Sequence, residues 1–458
     1  MTTTGASPSR VRRWWIVGAV LSVVVVPAVT AVVVVMAPKR TGHPVAVPPL
    51  GLPAQELLTS SMRKEPVPGW KTSSEMLGFP PGTIPKVIGN IGNNGYFLGI
   101  TGTGWWLVGV DVSTGQRSFP PVELGRSDHA LAFNCFVNGP TMVLCLRQDR
   151  DPAKPARAWV VDTGRGAMMF DGPSDLRLST MQNHPLVEQR GNYAVATVNG
   201  EGVHGIGARG EPTSFVPGSG IIAQEKDWDH DVAPQPLAVQ GGPNSSTTDV
   251  VFSVADGKVV KPEVPQGGRF GLAFVYPGGF GYEYSATGEY FSDQVAFFDD
   301  SGRELSRPNF KATILTGSRD IPMVQTPSAD VVLTLEGRKL LELPKSTAMP
   351  YTRPIGERLF IETGGERESS WRQYDLRTGA SGKTCDIEGL GYYYIASDGA
   401  VAVLIGDSDA ARGFDLTTCD ELWSLPGSTQ SQAKEVWKTH TTLIQRTNDE
   451  LFSLVAPA

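Results

Sequence analysis

Residues 108–119 read VGVDVSTGQRSF, and they contain the pattern that decides the fold. An apolar run ends in Asp111, Gly115 follows four residues later, and Phe119 follows eight residues later. An aspartate at the end of a strand can cap the next turn with its carboxylate, and glycine adopts the positive φ that tight turns need. The pattern therefore predicts a strand, a tight turn and a reversal into the next strand.

The same pattern returns along the chain. Clear copies are WVVDTGRGAMMF (159–170), YDLRTGASGK (374–383) and FDLTTCDELW (414–423). Cys419 occupies the glycine position of the last copy, and Lys383 stands at the aromatic position of the one before it. Weaker copies, in which an apolar run precedes or follows an Asp or Gly, lie at 204–215, 251–257, 297–302, 333–341 and 451–454. Three or four strands per unit at a spacing of about 35–51 residues are typical of an all-β β-propeller.

The number of blades follows less directly from the sequence. Nine candidate units can be counted, but propellers typically have about four to eight blades. We therefore expect eight blades, with one candidate misassigned, and seven as the fallback. Trp70 follows Pro68-Gly69 just inside the domain. We expect the strand around it to complete the last blade beside residues 451–455, because this pairing removes a free sheet edge.

The N-terminal region predicts a membrane anchor. Residues 14–37 form 24 consecutive positions without a charged side chain, after Arg10, Arg12 and Arg13. About 20 apolar residues cross a hydrocarbon core of roughly 30 Å, so this stretch predicts a single transmembrane α-helix. A cleaved signal peptide is the alternative, although the apolar region of signal peptides has only about 7–15 residues. The preceding arginines favour a cytoplasmic N-terminus.

The chain accordingly divides into four expected segments. These are a short cytoplasmic tail (1–13), the transmembrane helix (14–37), a Pro-rich linker (38–66) and an extracytoplasmic β-propeller (67–458). A short helix is expected to interrupt the linker at 54–63. The expected location is the cell membrane, crossed once, with the C-terminal domain outside the cytoplasm.

Four cysteines predict two disulfides, because an even number in an exported domain favours pairing. Cys135 and Cys145 flank Asn138-Gly139-Pro140, a strong turn signal that would place the two residues opposite each other in a hairpin. We therefore favour the pairs Cys135–Cys145 and Cys385–Cys419 over the other two connectivities. Four buried free thiols are the alternative.

The Asp-x-x-x-Gly turn, clearest at 111–115 and 375–379, resembles the repeat of the PQQ-like (quinoprotein-like) β-propellers. One membrane span followed by a propeller is similar to membrane-anchored members of this group from actinobacteria. Members of the family are either quinone-dependent dehydrogenases or non-catalytic scaffolds, including lipoprotein-type assembly factors of the bacterial envelope. The resemblance implies that an enzyme of this family would carry a disulfide between adjacent cysteines. No two cysteines are adjacent here, so we expect no cofactor.

The densest group of ionisable residues is Asp227, Asp229, His230 and Asp231. Three carboxylates and an imidazole within five residues can hold a cation or carry acid–base chemistry. An exposed acidic loop on one rim of the ring is the alternative. If the protein has a metal site, the sequence predicts it at these residues.

The function expected from these features is non-catalytic. The repeat consists of structural residues and brings together no catalytic set, which favours a binding or scaffold module of the cell envelope. The alternative is a propeller enzyme, either an oxidoreductase or a polysaccharide hydrolase or lyase, with its site in the central funnel. The expected partners are the membrane and an envelope protein or glycan. A net charge of −7 without a basic stripe argues against nucleic acid.

Overall fold

The computed structural model describes residues 50–458, except 53, 127–129, 152–153, 179–183, 224–230, 247, 265, 288–292, 316–319, 348–350, 364–369 and 407. The tail predicted at 1–13 and the transmembrane helix predicted at 14–37 lie outside these residues. Within the described part of the chain, no helix combines the length and apolarity that a bilayer crossing requires.

The described chain is built almost entirely of short antiparallel strands, grouped into nine sheets. The first strands are β1 Val67–Ser73, β2 Ile84–Ile91, β3 Asn94–Ile100, β4 Gly104–Asp111, β5 Gln116–Arg126, β6 Ala130–Val137, β7 Met142–Asp149, β8 Ala156–Asp162, β9 Ala167–Ser174, β10 Leu186–Arg190, β11 Tyr193–Val198, β12 Gly202–Ile206 and β13 Pro212–Pro217. The middle strands are β14 Leu237–Gln240, β15 Val250–Ser253, β16 Val259–Val260, β17 Arg269–Tyr276, β18 Gly279–Ser285, β19 Gln294–Asp299, β20 Glu304–Ser306, β21 Thr313–Ile314, β22 Met323–Gln325, β23 Ala329–Leu333 and β24 Lys339–Pro344. The last strands are β25 Thr352–Ile355, β26 Arg358–Glu362, β27 Trp371–Asp375, β28 Ser381–Cys385, β29 Tyr394–Ser397, β30 Val401–Leu404, β31 Asp409–Asp415, β32 Glu421–Pro426, β33 Lys434–Thr439, β34 Thr442–Thr447 and β35 Glu450–Val455.

Two short helices accompany the strands. Helix α1 spans Ser74–Leu77, begins after Ser73, whose side chain accepts a hydrogen bond from the Met76 amide, and ends at Gly78. A 3₁₀ helix spans Pro243–Ser245. The helix predicted at 54–63 does not form, because residues 54–66 lie extended across the propeller instead.

The sheets are nine blades rather than eight or seven, so the predicted number was wrong. Blade 1 is β2–β5, blade 2 is β6–β9, blade 3 is β10–β13, blade 4 is β14–β16, blade 5 is β17–β20, blade 6 is β21–β24, blade 7 is β25–β28, blade 8 is β29–β32 and blade 9 is β33–β35 with β1. Each candidate unit of the sequence falls in a separate blade. The error came from the usual range of blade numbers and not from a misassigned strand.

The core lies between the blades. The buried apolar residues of the described chain form nine clusters, one for each pair of neighbouring blades. Leu107 of blade 1 and Val143 of blade 2 share one cluster, for example, and Ile444 of blade 9 and Val108 of blade 1 share another. Since blade 9 packs on blade 1, the ring is closed.

The first and last strands of the domain complete the same blade, as predicted. Strand β1 pairs antiparallel with β35, with Val67 opposite Val455 and Ser73 opposite Glu450. Trp70 of β1 also reaches blade 1, where its Nε1 donates to the Val112 carbonyl at 2.7 Å. The ring is therefore joined by backbone pairing within blade 9 and by a side chain to its neighbour.

The repeated turn connects the third and fourth strands of a blade, and it has the predicted form. The Asp111 carboxylate accepts from the Ser113 amide at 2.9 Å, and the Gly115 amide donates to the Asp111 carbonyl at 2.7 Å. Gly115 has a φ of 73°.

The Asp-x-x-x-Gly turns lie at one end of the ring, which we call the Asp–Gly face. The turns between the first and second strands lie at the same end, because the strands alternate in direction; the opposite end is the second face.

The aromatic residue of the repeat has a role that the sequence pattern did not reveal. Trp70 of blade 9 covers Gly115 of blade 1, and Phe119 of blade 1 covers Gly166 of blade 2; a Cβ on either glycine would lie within 2.5 Å of the ring or its Cβ. The glycine thus leaves room for an aromatic side chain of the preceding blade. This contact forms at these two interfaces, whereas Gly379 faces Leu340 and Leu341 of blade 6 instead.

Both predicted disulfides are present. Cys135 and Cys145 lie directly opposite each other in the β6–β7 hairpin, and Cys385 of blade 7 is joined to Cys419 of blade 8. Cys419 adopts a φ of 66° at the position where the repeat places glycine. The second disulfide therefore links neighbouring blades through a residue in the left-handed region.

The Trp70–Gly115 contact predicts that Gly115→Ala is more destabilising than Gly82→Ala. The two glycines have nearly the same φ, 73° and 75°, so alanine meets the same backbone penalty of about 1–2 kcal/mol at both. The space around Gly82 is open within 4 Å, whereas Gly115 is covered by Trp70. Displacing Trp70 should add about 1–3 kcal/mol, measurable by urea unfolding. Equal losses would contradict the contact.

The conformation of Cys419 predicts a difference between two variants that both lack the second disulfide. Cys385→Ser with Cys419→Gly should be more stable than Cys385→Ser with Cys419→Ser by about 1 kcal/mol, because only glycine adopts a positive φ without steric cost. Thermal unfolding of the two proteins under the same conditions measures the difference. Equal melting temperatures would show that residue 419 carries no backbone strain.

Candidate functional site

An extended N-terminal segment, residues 54–66, crosses the Asp–Gly face; we call it the strap. The Leu58 amide donates to the Ser397 carbonyl at 2.8 Å in blade 8, and the Thr59 amide donates to the Thr441 carbonyl at 3.2 Å in blade 9. Leu58 and Met62 are buried in the core between these two blades. Residues from the predicted 38–66 linker thus belong to the folded ring.

A long connection of blade 4 meets the strap. Ile222 forms an antiparallel β-bridge with Gln240 of β14 and so extends blade 4 on its inner side. Residues 231–236 then lead into the start of β14. In this segment Val232 bridges Gln55, and the Asp231 carbonyl accepts from the Glu56 amide at 2.7 Å. Blade 4 lies across the ring from blades 8 and 9. Residues 231–236 therefore meet the strap on the Asp–Gly face, and Asp231 among them reaches the inner strands of blades 8 and 9.

Asp231 forms a buried charged cluster with the first strands of blades 8 and 9. Lys438 of β33 donates through Nζ to Asp231 Oδ1 at 2.7 Å, and the two side chains are 1% and 4% exposed. Lys438 Nζ also donates to the Glu56 carbonyl, and the Tyr394 hydroxyl donates to Asp231 Oδ2. The cluster thus ties together the strap, blade 4, blade 8 and blade 9.

The predicted metal-ligand group is represented in the structure by Asp231 alone; Asp227, Asp229 and His230 lie outside the described residues. Both Asp231 carboxylate oxygens accept hydrogen bonds from protein groups. The described residues contain no cluster of three His, Cys, Asp or Glu side chains suited to a metal ion. The observed role of Asp231 is to neutralise Lys438, a partner 207 positions away that the local sequence did not indicate.

Two of the carboxylates whose pKa is raised lie at interfaces between blades. Burial raises the pKa of Asp249 in blade 4 and that of Glu283 in blade 5. Asp249 accepts from the Ala273 amide of blade 5 at 2.9 Å, and Glu283 accepts from the Ile314 amide of blade 6 at 2.7 Å. Raised pKa values can mark acid–base residues. Here each carboxylate caps a backbone amide of the next blade, which is a structural role.

The second face presents a group of exposed aromatic side chains on blades 7 and 8. Tyr351, Tyr392 and Tyr393 are 39%, 56% and 49% exposed, and Ile405 beside them is 46% exposed. The rings of Tyr351 and Tyr392 lie 5.8 Å apart at an interplanar angle of 67°, and their hydroxyls are 3.0 Å apart. We call Tyr351, Tyr392 and Tyr393 the tyrosine platform. The run Tyr392-Tyr393-Tyr394 is the sequence signal for it.

Comparison with known proteins identifies the family. A family model described as a conjugation-associated 9-bladed beta-propeller domain matches residues 43–457. The chain belongs to this family. An uncharacterised protein of Mycolicibacterium smegmatis (strain MKD8) is 34% identical to it over an alignment of 483 residues, which covers 98% of each chain.

Solved structures have only low similarity to this conjugation-associated propeller. BamB from Moraxella catarrhalis is 9% identical, with a TM-score of 0.40 over 85% of this chain and 100% of that one. The C-terminal WD40 domain of Sif2 is 8% identical, with a TM-score of 0.38 over 86% and 99% of the two chains. The β-propeller implied by the quinoprotein-like resemblance is confirmed, and the family shown is the conjugation-associated one.

The burial of Lys438 predicts that Lys438→Met costs this conjugation-associated propeller about 3–5 kcal/mol of stability, because it leaves Asp231 buried and charged. Lys71→Met is the matched control. Lys71 also lies 2.7 Å from a carboxylate, that of Glu450, but the two side chains are 57% and 39% exposed. Exposed pairs contribute about 0–1 kcal/mol.

Urea unfolding of the two variants measures this difference. Adding Asp231→Asn to Lys438→Met should recover part of the lost stability, because the second change removes the unpaired charge. If Lys438→Met and Lys71→Met lose the same stability, the cluster does not hold the strap and blade 4 together.

Proposed function

We propose that the chain is a membrane-anchored, extracytoplasmic β-propeller that acts as a non-catalytic binding scaffold in a conjugation-associated assembly of the cell envelope. The family description supports the link to conjugation. The uncharged stretch at 14–37 supports the anchor. Two disulfides support an oxidising compartment outside the cytoplasm.

The burial of the Asp231–Lys438 pair is the observation that carries the scaffold assignment. A propeller enzyme needs ionisable groups that meet in the funnel and remain accessible to a substrate. In this ring Asp231 and Lys438 meet at the centre, but they neutralise each other and are almost completely buried. The strap and the blade 4 connection cover them on the Asp–Gly face. Their geometry supports a structural role.

The proposed scaffold binds proteins of the transfer assembly rather than the transferred DNA. A net charge of −7 disfavours association with a polyanion. The closed ring and its linked blades provide a rigid support on which surface loops can bind a partner at low entropic cost. A scaffold of this kind contributes by holding envelope proteins together during DNA transfer.

A complementation experiment in the native host tests the proposal. A strain lacking the gene receives the full chain, the chain with residues 14–37 replaced by an unrelated single membrane span, or residues 50–458 exported behind a cleavable signal peptide. We expect the first two proteins to resist an alkaline carbonate wash of the membranes and to restore DNA transfer. We expect the third to be released from the membranes and to fail. Restoration by residues 50–458 would show that the anchor is dispensable.

Overproduction separates a scaffold from an enzyme. Excess exported 50–458 in a wild-type strain should lower DNA transfer, because a free scaffold occupies the partners of the anchored one. An excess of a catalyst would leave transfer unchanged or raise it. Normal transfer in the strain lacking the gene would refute the role in conjugation itself.

A further inference from the structure

The tyrosine platform on the second face has the features of a protein docking surface. Its three side chains are 39–56% exposed, although large aromatic rings are among the most favourable groups to bury in an interface. The strap lies on the Asp–Gly face, at the other end of the same blades. It therefore does not cover the platform.

The platform is held in one conformation by the chain beneath it. Arg353, which is 2% exposed, donates to the Leu390 carbonyl at 2.9 Å and to the Gly391 carbonyl at 3.2 Å. Its guanidinium also lies 4.1 Å from the centre of the Tyr394 ring. The loop before β29 is therefore fixed from below, so a partner meets a surface that is already ordered.

Carboxylates surround the platform. Asp386 and Glu388 are exposed in the turn that precedes Tyr392, and Glu362 is joined to Tyr351 by a hydrogen bond from its amide to the Tyr351 carbonyl at 2.9 Å. Among the described cations of blades 7 and 8, Arg353 lies beneath the platform, Arg412 beside Gly406 pairs with Glu421 at 3.5 Å, and Arg372 donates to the Thr384 hydroxyl at 3.2 Å. The tyrosines thus have exposed carboxylates close to them in the chain, whereas these three arginines are each engaged by protein groups.

We propose that the tyrosine platform docks a segment of a partner protein that carries lysine or arginine. Cations bind over the faces of tyrosine rings, and Asp386 and Glu388 lie close enough in sequence to pair with the same side chains. The methylene groups of a lysine or arginine would cover Ile405. This proposal rests on the scaffold function and names the chemistry of its partner. A neutral glycan would stack on the rings but would leave the carboxylates without a role.

A binding experiment with the purified full chain in detergent tests the proposal. The probe is a short fluorescein-labelled peptide of glycine, leucine and arginine, and the control peptide has glutamate in place of each arginine. We expect the arginine peptide to bind at least about tenfold more tightly than the glutamate peptide, a difference of about 1.4 kcal/mol. We also expect this preference to weaken with added salt, because the carboxylates are exposed.

Two platform variants and one control locate the binding site. Tyr392→Ala with Tyr393→Ala should weaken binding of the arginine peptide about tenfold, and Asp386→Asn with Glu388→Gln should remove its salt dependence. Phe310→Ala is the control. Phe310 is also exposed, at 40%, but it lies in the segment that connects blade 5 to blade 6. Unchanged melting temperatures show that the variants are folded, as expected for exposed side chains.

Three results would overturn the proposal: equal binding of both peptides, full binding by the tyrosine variant, or displacement of the probe by a soluble cell-wall glycan fragment. The last result would assign the platform to a glycan. Because the assay measures neither membrane retention nor DNA transfer, its failure leaves the proposed scaffold function standing. Conversely, a full chain that binds the peptide but does not support DNA transfer would count against the scaffold function and leave the docking proposal standing.

Discussion

Burial between neighbouring blades is the constraint on which this structure depends. A sheet of three or four short strands cannot bury either face alone, and each of the nine sheets here gains its core from the blades on both sides. Phe97 of blade 1, for example, is fully buried in a cluster shared with Leu451 of blade 9. Closure of the ring gives the first and last blades the same number of neighbours as the others. The turn glycines, the aromatic residues above them and the disulfide between blades 7 and 8 all act at these interfaces.

Much of the fold could be predicted because its determinants are local. Asp111 and Gly115 form a turn through contacts within five residues, so their spacing is visible in the sequence. The Cys135–Cys145 disulfide could be predicted in the same way, since a hairpin places the two residues opposite each other. The pairing of β1 with β35 is distant in sequence, but it follows from the need of a propeller to remove its free edges. The predicted blade number was wrong for a different reason. The nine candidate units were counted correctly, but the usual range of blade numbers in propellers was preferred to that count.

The contacts at the centre of the ring were beyond the reach of sequence patterns, because they join distant segments and belong to no repeated motif. Nothing near Asp231 indicates that it meets Lys438, and nothing near Leu58 separates a buried strap from a flexible linker. A wider ring has a wider channel, and the strap and the blade 4 connection fill part of it with the chain's own polar groups. The sequence placed a metal site, if the protein has one, at Asp227, Asp229, His230 and Asp231. The first three lie outside the described residues, and the contacts of Asp231 are those of a structural ion pair.

The pairing of β1 with β35 also sets the order in which the molecule can mature. Residues 67–73 are synthesised before the other eight blades, yet the strand that completes their sheet, β35, follows those blades in the chain. The nascent polypeptide must therefore keep an unpaired edge at β1 until β35 has been synthesised. A message that ends prematurely yields an open arc whose terminal blades lack a partner, and such a product is a natural substrate for chaperones and proteases. Closure of the ring therefore waits for the synthesis of β35.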